Sequence, residues 1–181
     1  MTVQRVLGID PGSLITGWGI IDFENSKIKH IDHGSIFTKK KEFFLRLKEI
    51  YLGITEVIAI HQPMVVSIEQ VFVSKNPQSA LKLGQARGVA LIAALNANLD
   101  IHEYAPTKIK QAVTGRGRAD KQQVTFMVQT MLQLSEPAQV DASDALAAAI
   151  CYVLQPKLPE IIQELAQKKR SPRFSKKKTY R

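Results

Sequence analysis

The chain has 181 residues, 45% of them hydrophobic and 23% charged, a balance that fits one globular domain with an ample core and excludes disordered and fibrous classes. Its one cysteine, Cys151, excludes an internal disulfide framework and a cysteine-based zinc site, and its longest nearly unbroken apolar run, Ala145 to Leu154, falls far below the ~18 residues of a membrane span. The net charge is +9, but residues 168–181 hold eight of the 25 Lys and Arg and no acid, leaving a body with 17 basic residues against 16 acidic.

Met1 is followed within a few residues by the apolar-rich VLGID, with no charged segment ahead of a long apolar one, so no secretory signal is evident and a soluble, cytoplasmic protein without membrane partners is expected. Gln4 to Asp10 reads as a buried strand ending on a carboxylate, and Pro11-Gly12-Ser13 as a turn. Thr16 to Phe23 and Lys27 to Phe37 are two further strands with a hairpin loop between them, which makes an antiparallel meander. From about Lys41 to His61, the spacing of Leu47, Ile50, Tyr51, Ile54 and Ile58 predicts an amphipathic helix. Pro63 breaks it, and MVVSIEQVF is a fourth strand containing Glu69. Asn76 caps a helix that carries Pro77 in its first turn and runs to about Asn96. Asp100 to Tyr104 is a fifth strand. Thr107 is a candidate cap for a short helix ended by Gly115, a further helix covers about Ala119 to Leu132, and the last begins near Asp141 and ends before Pro156. The organisation expected is a folded domain over 1–156 and a basic, disordered tail over 157–181 that attaches loosely to polyanions.

This order predicts an α/β fold: a mixed five-stranded sheet, with strands 1-2-3 as an antiparallel meander, strands 4 and 5 parallel, and helices flanking it. Strand four parallel to strand one puts Asp10 and Glu69 at carboxyl ends on the same edge, where ligand sites on such sheets form. Asp141 and Asp144, three apart at a helix start, share one face. Asp10 and Glu69 sit in otherwise apolar strands, and four converging carboxylates repel one another and raise some of their pKa values; a hard divalent cation resolves that conflict. Magnesium takes oxygen ligands and substrate phosphate oxygens, and two such ions suit hydrolysis of a phosphodiester. Each acid also has an ordinary reading. Asp10 is able to open an Asx-turn, Glu69 to pair with a basic neighbour, and one of Asp141 and Asp144 to cap its helix.

The segments GIDPGSLITGWGII, IEQVFVSKNPQSALKLGQARGVAL, APTKIKQAVTGRGRADKQQV and VDASDALAAAI, in this order, closely resemble the RuvC family of Holliday-junction resolvases, over roughly residues 3–155. The resemblance implies an RNase H-like core and a crossover junction endodeoxyribonuclease of recombination and repair. It implies a homodimer that nicks opposite strands of a four-way junction symmetrically, and the RuvA–RuvB branch-migration complex as a partner. It implies Asp10, Glu69, Asp141 and Asp144 as catalytic acids holding Mg2+, two ions per site, with Mn2+ as a substitute. Asp141 stands where some members carry histidine. Lys110 and Lys121 match basic positions that contact DNA near the cleaved phosphate, and Phe72 matches an aromatic that stacks on unpaired bases at the junction centre.

The residues themselves support part of this. Between Lys108 and Lys121 lie five basic residues and one acid, Asp120, interleaved with glycines, and Arg116 and Arg118 in a GRGR loop suit phosphate contacts. Phe72, next to Ser74-Lys75-Asn76, is placed to stack on a base or to serve the core. Ala80, Gly84 and Gly88 permit close approach of a second helix, and the resemblance suggests a dimer interface there. Trp18 and Cys151 are assigned to the core. His30, His33, His61 and His102 show no close helical ligand pair and receive no metal. Three other functions remain open: an actin-like ATPase, for which DPGSLITG resembles a phosphate-binding turn; a non-catalytic nucleic-acid-binding module; and an RNase H-like nuclease acting on hybrids or linear DNA.

Overall fold

In the computed structural model, described over residues 3–38, 42–71 and 76–155, strands β1 (Gln4–Asp10), β2 (Ile15–Glu24) and β3 (Lys27–Phe37) form the expected meander. Asn25 and Ser26 turn the β2–β3 hairpin at φ 50° and 62°, the doubly positive pair that matches strand twist in a two-residue loop. Helix α1 (Phe43–His61), strand β4 (Val65–Glu69), helix α2 (Pro77–Asn96) and strand β5 (Asp100–Tyr104) follow, then helices α3 (Pro106–Thr114), α4 (Lys121–Leu132) and α5 (Val140–Leu154). The sheet order is β3-β2-β1-β4-β5, with β1–β4 and β4–β5 parallel. Phe72, the expected boundary at 156 and the basic tail lie outside the described residues.

The sheet separates two apolar layers. Leu7, Ile9, Ile20, Val66 and Ile68 pack against Ile50, Ile54 and Ile58 of α1 and Ala86, Ala90 and Ala94 of α2. Val6, Ile21 and Val65 face α3, α4 and α5 on the other side. Helix α5 is the central member of that second layer, with ten of its 15 residues buried, which is why it reads as an Ala-rich run with little amphipathicity. Its fully buried Leu146 and Ile150 contribute roughly 1.5–3 kcal/mol each.

Two helix starts differ from expectation, each for a local reason, and α5 begins where expected. Ala105, not Thr107, is the N-cap of α3, because Pro106 takes the first helical position and needs no amide partner. Helix α4 starts at Lys121 rather than Ala119: Asp120 accepts from the Gln123 amide at 2.8 Å while Gln123 bonds back to the Asp120 amide, a capping box. Helix α5 starts at Val140 with Gln139 as its cap residue, so neither Asp141 nor Asp144 is spent on capping. Trp18, expected in the core, packs half-buried against the α1 and α2 layer, its ring centroid 5.6 Å from that of His61.

Candidate active site

Asp10 and Glu69 occupy the carboxyl ends of adjacent parallel strands, one residue beyond the Ile9–Ile68 register pair. The backbone beyond Asp10 folds back immediately: the Thr16 hydroxyl donates to the Gly12 carbonyl at 2.8 Å, and a Cβ on Gly12 would overlap the Ile15 carbonyl. Strand β2 then returns with Gly17 opposite Asp10. Gly17 decides where α5 lies, because a Cβ there would overlap the Asp141 carbonyl. Gly8 similarly meets the Ala145 carbonyl, and the buried Ser67 hydroxyl donates to the Ala148 carbonyl at 2.6 Å. The first turn of α5 is thereby laid onto the sheet beside Asp10, with Asp141 and Asp144 both half-buried.

The electrostatics follow from that convergence. Burial raises the Asp10 carboxyl to about 8, and repulsion from Asp144, Glu69 and Asp141 adds to the rise. Burial also raises Glu69, with Asp144 adding to it, while the positive charges of Lys121 and Lys110 oppose the shift. Lys121 donates to Asp144 Oδ2 at 3.3 Å, and its own pKa is raised, chiefly by that carboxylate. Among the described residues, no group of three or more His, Cys, Asp or Glu side chains is drawn together into a ready-made metal cage. The carboxylates stand within electrostatic reach of one another. An all-oxygen donor set in which burial and mutual repulsion disfavour ionisation fits a hard divalent cation, which supplies the missing positive charge.

Of the expected basic residues, Lys110 on α3 and Lys121 on α4 face the acids closely enough to act on Glu69. Arg116 and Arg118 are exposed in the α3–α4 loop, outside that group. Lys108 is directed elsewhere, its ammonium 5.3 Å from the Tyr104 ring centroid. The ordinary pairing considered for Glu69 does not form among the described ion pairs; the basic residue nearest its backbone, Arg87, bonds Glu103 at 2.7 Å instead. Arg87 also donates from Nε to the Glu69 carbonyl at 3.4 Å, tying α2 and β5 to the end of β4. Sequence reading missed this residue, since its helical spacing resembles that of any surface arginine and its carboxylate partner lies on a different strand.

The sequence matches the family model described as Crossover junction endodeoxyribonuclease RuvC over residues 6–152. The chain belongs to the RuvC family. The RuvC of Vibrio campbellii is 57% identical over 147 residues, 81% of this chain and 85% of that protein. That of Geobacter metallireducens is 51% identical over 163 residues, 90% of this chain and 99% of that protein. Among solved structures, T. thermophilus RuvC in complex with Holliday junction substrate superposes with a TM-score of 0.78 at 32% identity, covering 83% of this chain and 93% of that one. The fold is therefore RNase H-like and the chain is an endodeoxyribonuclease of a metal-dependent family. Membership displaces the ATPase and non-catalytic alternatives. Among the described residues, no helix is long and apolar enough to cross a membrane.

Proposed function

We propose that this RuvC-family chain resolves four-way DNA junctions by paired symmetric nicks, with Asp10, Glu69, Asp141 and Asp144 holding two Mg2+ ions. The observation that carries the reading is the convergence of four half-buried acids at one sheet edge, with Asp10 pushed to about 8. Divalent cations held by these acids, Mn2+ as well as Mg2+, would supply positive charge for activating water and stabilising a leaving oxygen. The chain's own residues orient that chemistry. Gly17 and Gly8 seat α5 so that Asp141 and Asp144 face Asp10, and Lys121 and Lys110 offer ammonium groups to the phosphate flanking the scissile bond. Lys121 is the more exposed of the two. Its side chain is 73% exposed, so exchanging Asp144 for a DNA phosphate costs it little burial. Arg116 and Arg118 extend the same positive surface, and Phe72 stacks on unpaired bases at the junction centre.

Two-strand cleavage needs two sites, and α2 supports a homodimer. Leu81, Ile92 and Leu95 are exposed on it, and Gly84 and Gly88 have open space beside them. Leu47 and Tyr51 of α1 continue this apolar surface. Junction-bound copies are then available to a RuvA–RuvB branch-migration complex, with the basic 157–181 segment adding nonspecific polyanion affinity. The deciding test is a strand-labelled mobile junction beside its component duplexes in Mg2+. Symmetric nicks in the junction alone are expected; equal cutting of the linear duplexes would point to a general nuclease.

A further inference from the structure

Away from the carboxylates, the outer strand β3 holds two imidazoles in contact: His30 Nε2 and His33 Nδ1 are 2.8 Å apart, with ring centroids separated by 4.9 Å. Side chains three residues apart on a regular strand point to opposite faces. Here the β2–β3 register shifts, Ile20 pairing with Asp32 and Ile21 with His30, so Ile31 is an extra residue that returns His30 and His33 to one face. Both rings line a surface groove with Met131, Leu134 and Glu136 of the α4–α5 segment. The intervening Asp32 reaches the opposite face, where it pairs with His61 of α1 at 3.3 Å.

We propose that His30 and His33 chelate a borderline divalent transition-metal ion, of the Zn2+, Ni2+ or Cu2+ class, at a site separate from the carboxylates. Two nitrogens each about 2.0–2.1 Å from one ion stand roughly 2.9–3.4 Å apart for angles between square and tetrahedral. To admit one, the pair has to open by a few tenths of an ångström from its 2.8 Å contact and the rings have to turn so that both lone pairs meet at the ion. The proton now shared between the rings moves to the other nitrogen of its own imidazole, so both facing lone pairs are freed without net loss of a proton. Among the described residues, no third His, Cys, Asp or Glu completes a protein-only set, and water fills the remaining positions. Glu136 and Lys29 line the same groove with opposite charges, and the Asp32 carboxylate also acts on His30. Ligand softness separates the two sites. Imidazole nitrogens select Zn2+, Ni2+ and Cu2+, whereas carboxylate oxygens suit Mg2+.

The test is a Zn2+ titration of the full chain with Mg2+ in large excess, followed by calorimetry and by long-range 1H–15N spectra of the imidazoles. His30→Gln and His33→Gln, which keep a polar group of similar size, should each lose one Zn2+ equivalent, while His61→Gln keeps it. In the unaltered chain, the His30 Nε2 and His33 Nδ1 resonances should move at substoichiometric Zn2+, and Cu2+ should show coupling to two nitrogens in its electron paramagnetic resonance spectrum. Junction cleavage in Mg2+ should be unchanged in both variants. Equal Zn2+ binding by the unaltered chain and the two variants, unmoved imidazole resonances, or Zn2+ uptake that vanishes only in Asp10→Asn would overturn the proposal.

Discussion

Lys121 Nζ lies 3.3 Å from Asp144 Oδ2, linking the first residue of α4 to the fifth of α5 across the mouth of the acidic site. This lysine lowers the cost of ionising both Asp10 and Glu69. Lys121→Met should reduce single-turnover cleavage of a labelled junction by roughly 10²-fold, the scale of removing one preorganised donor from a charged transition state. Its junction affinity should lose about one unit of salt slope. Cleavage within twofold of the unaltered chain would remove Lys121 from the site.

Asp10→Asn and Asp144→Asn should each abolish cleavage while junction binding persists or tightens, because the substitution removes negative charge facing a phosphate backbone. Ca2+ should likewise support binding without turnover, since its looser, larger coordination suits an in-line displacement poorly. Gel-shift and cleavage assays on the same junction separate the two. Efficient cutting by Asp10→Asn, or equal rates with Ca2+ and Mg2+, would contradict the assignment.

Stability without divalent cations should depend on pH through Asp10. Its folded pKa of about 8 lies above the unfolded value near 3.9, so the folded chain binds more protons than the unfolded one between those values. The contribution is fully present below about pH 4 and is lost as pH rises through about 8. His30 and His102, whose pKa values burial lowers, act oppositely, losing stability as pH falls below about 6.5. The informative quantity is therefore the difference in Tm between the unaltered chain and Asp10→Asn. That difference should widen in the variant's favour from pH 5 to 8 in chelator and shrink with Mg2+. A pH-independent difference would argue against a buried, raised Asp10.

Gly17→Ala tests how α5 reaches the site. The added Cβ meets the Asp141 carbonyl, backbone that yields only if the helix start moves. A destabilisation of about 1–3 kcal/mol is expected from such overpacking, together with a loss of cleavage that persists at temperatures where the variant is fully folded. Circular dichroism melts beside cleavage at low temperature distinguish this from simple unfolding.

Arg87→Gln should lower kcat and raise the Mg2+ concentration for half-maximal rate while leaving junction affinity unchanged. Arg87 touches the Glu69 carbonyl and Glu103, and its effect on the reaction passes through the placement of Glu69. Arg87→Lys should recover part of the rate. An Arg87→Gln variant with lowered Tm but an unaltered Mg2+ profile would leave Arg87 a purely structural link.

Much of this molecule is determined locally. Period-two and period-3.6 patterns, Asn76 before Pro77 and the Asn25-Ser26 turn act within a few residues, so the five strands, their order and most helix bounds are legible in the chain itself. The strand-end positions of Asp10 and Glu69 and the shared face of Asp141 and Asp144 follow from the same short-range rules. What needed the tertiary structure was everything settled between distant segments. The overlap that a Cβ on Gly17 would make with the Asp141 carbonyl, the Ser67 bond to α5, and Arg87 reaching two strands depend on three-dimensional packing distances. Pattern also misleads where it is locally broken: the bulge at Ile31 reverses the faces that strand alternation assigns to His30 and His33. The sequence placed four acids at the ends of their elements. Only packing decided that they are close enough, and buried enough, for one carboxyl to hold its proton to about pH 8, because burial and Coulomb repulsion depend on neighbours in space rather than in sequence.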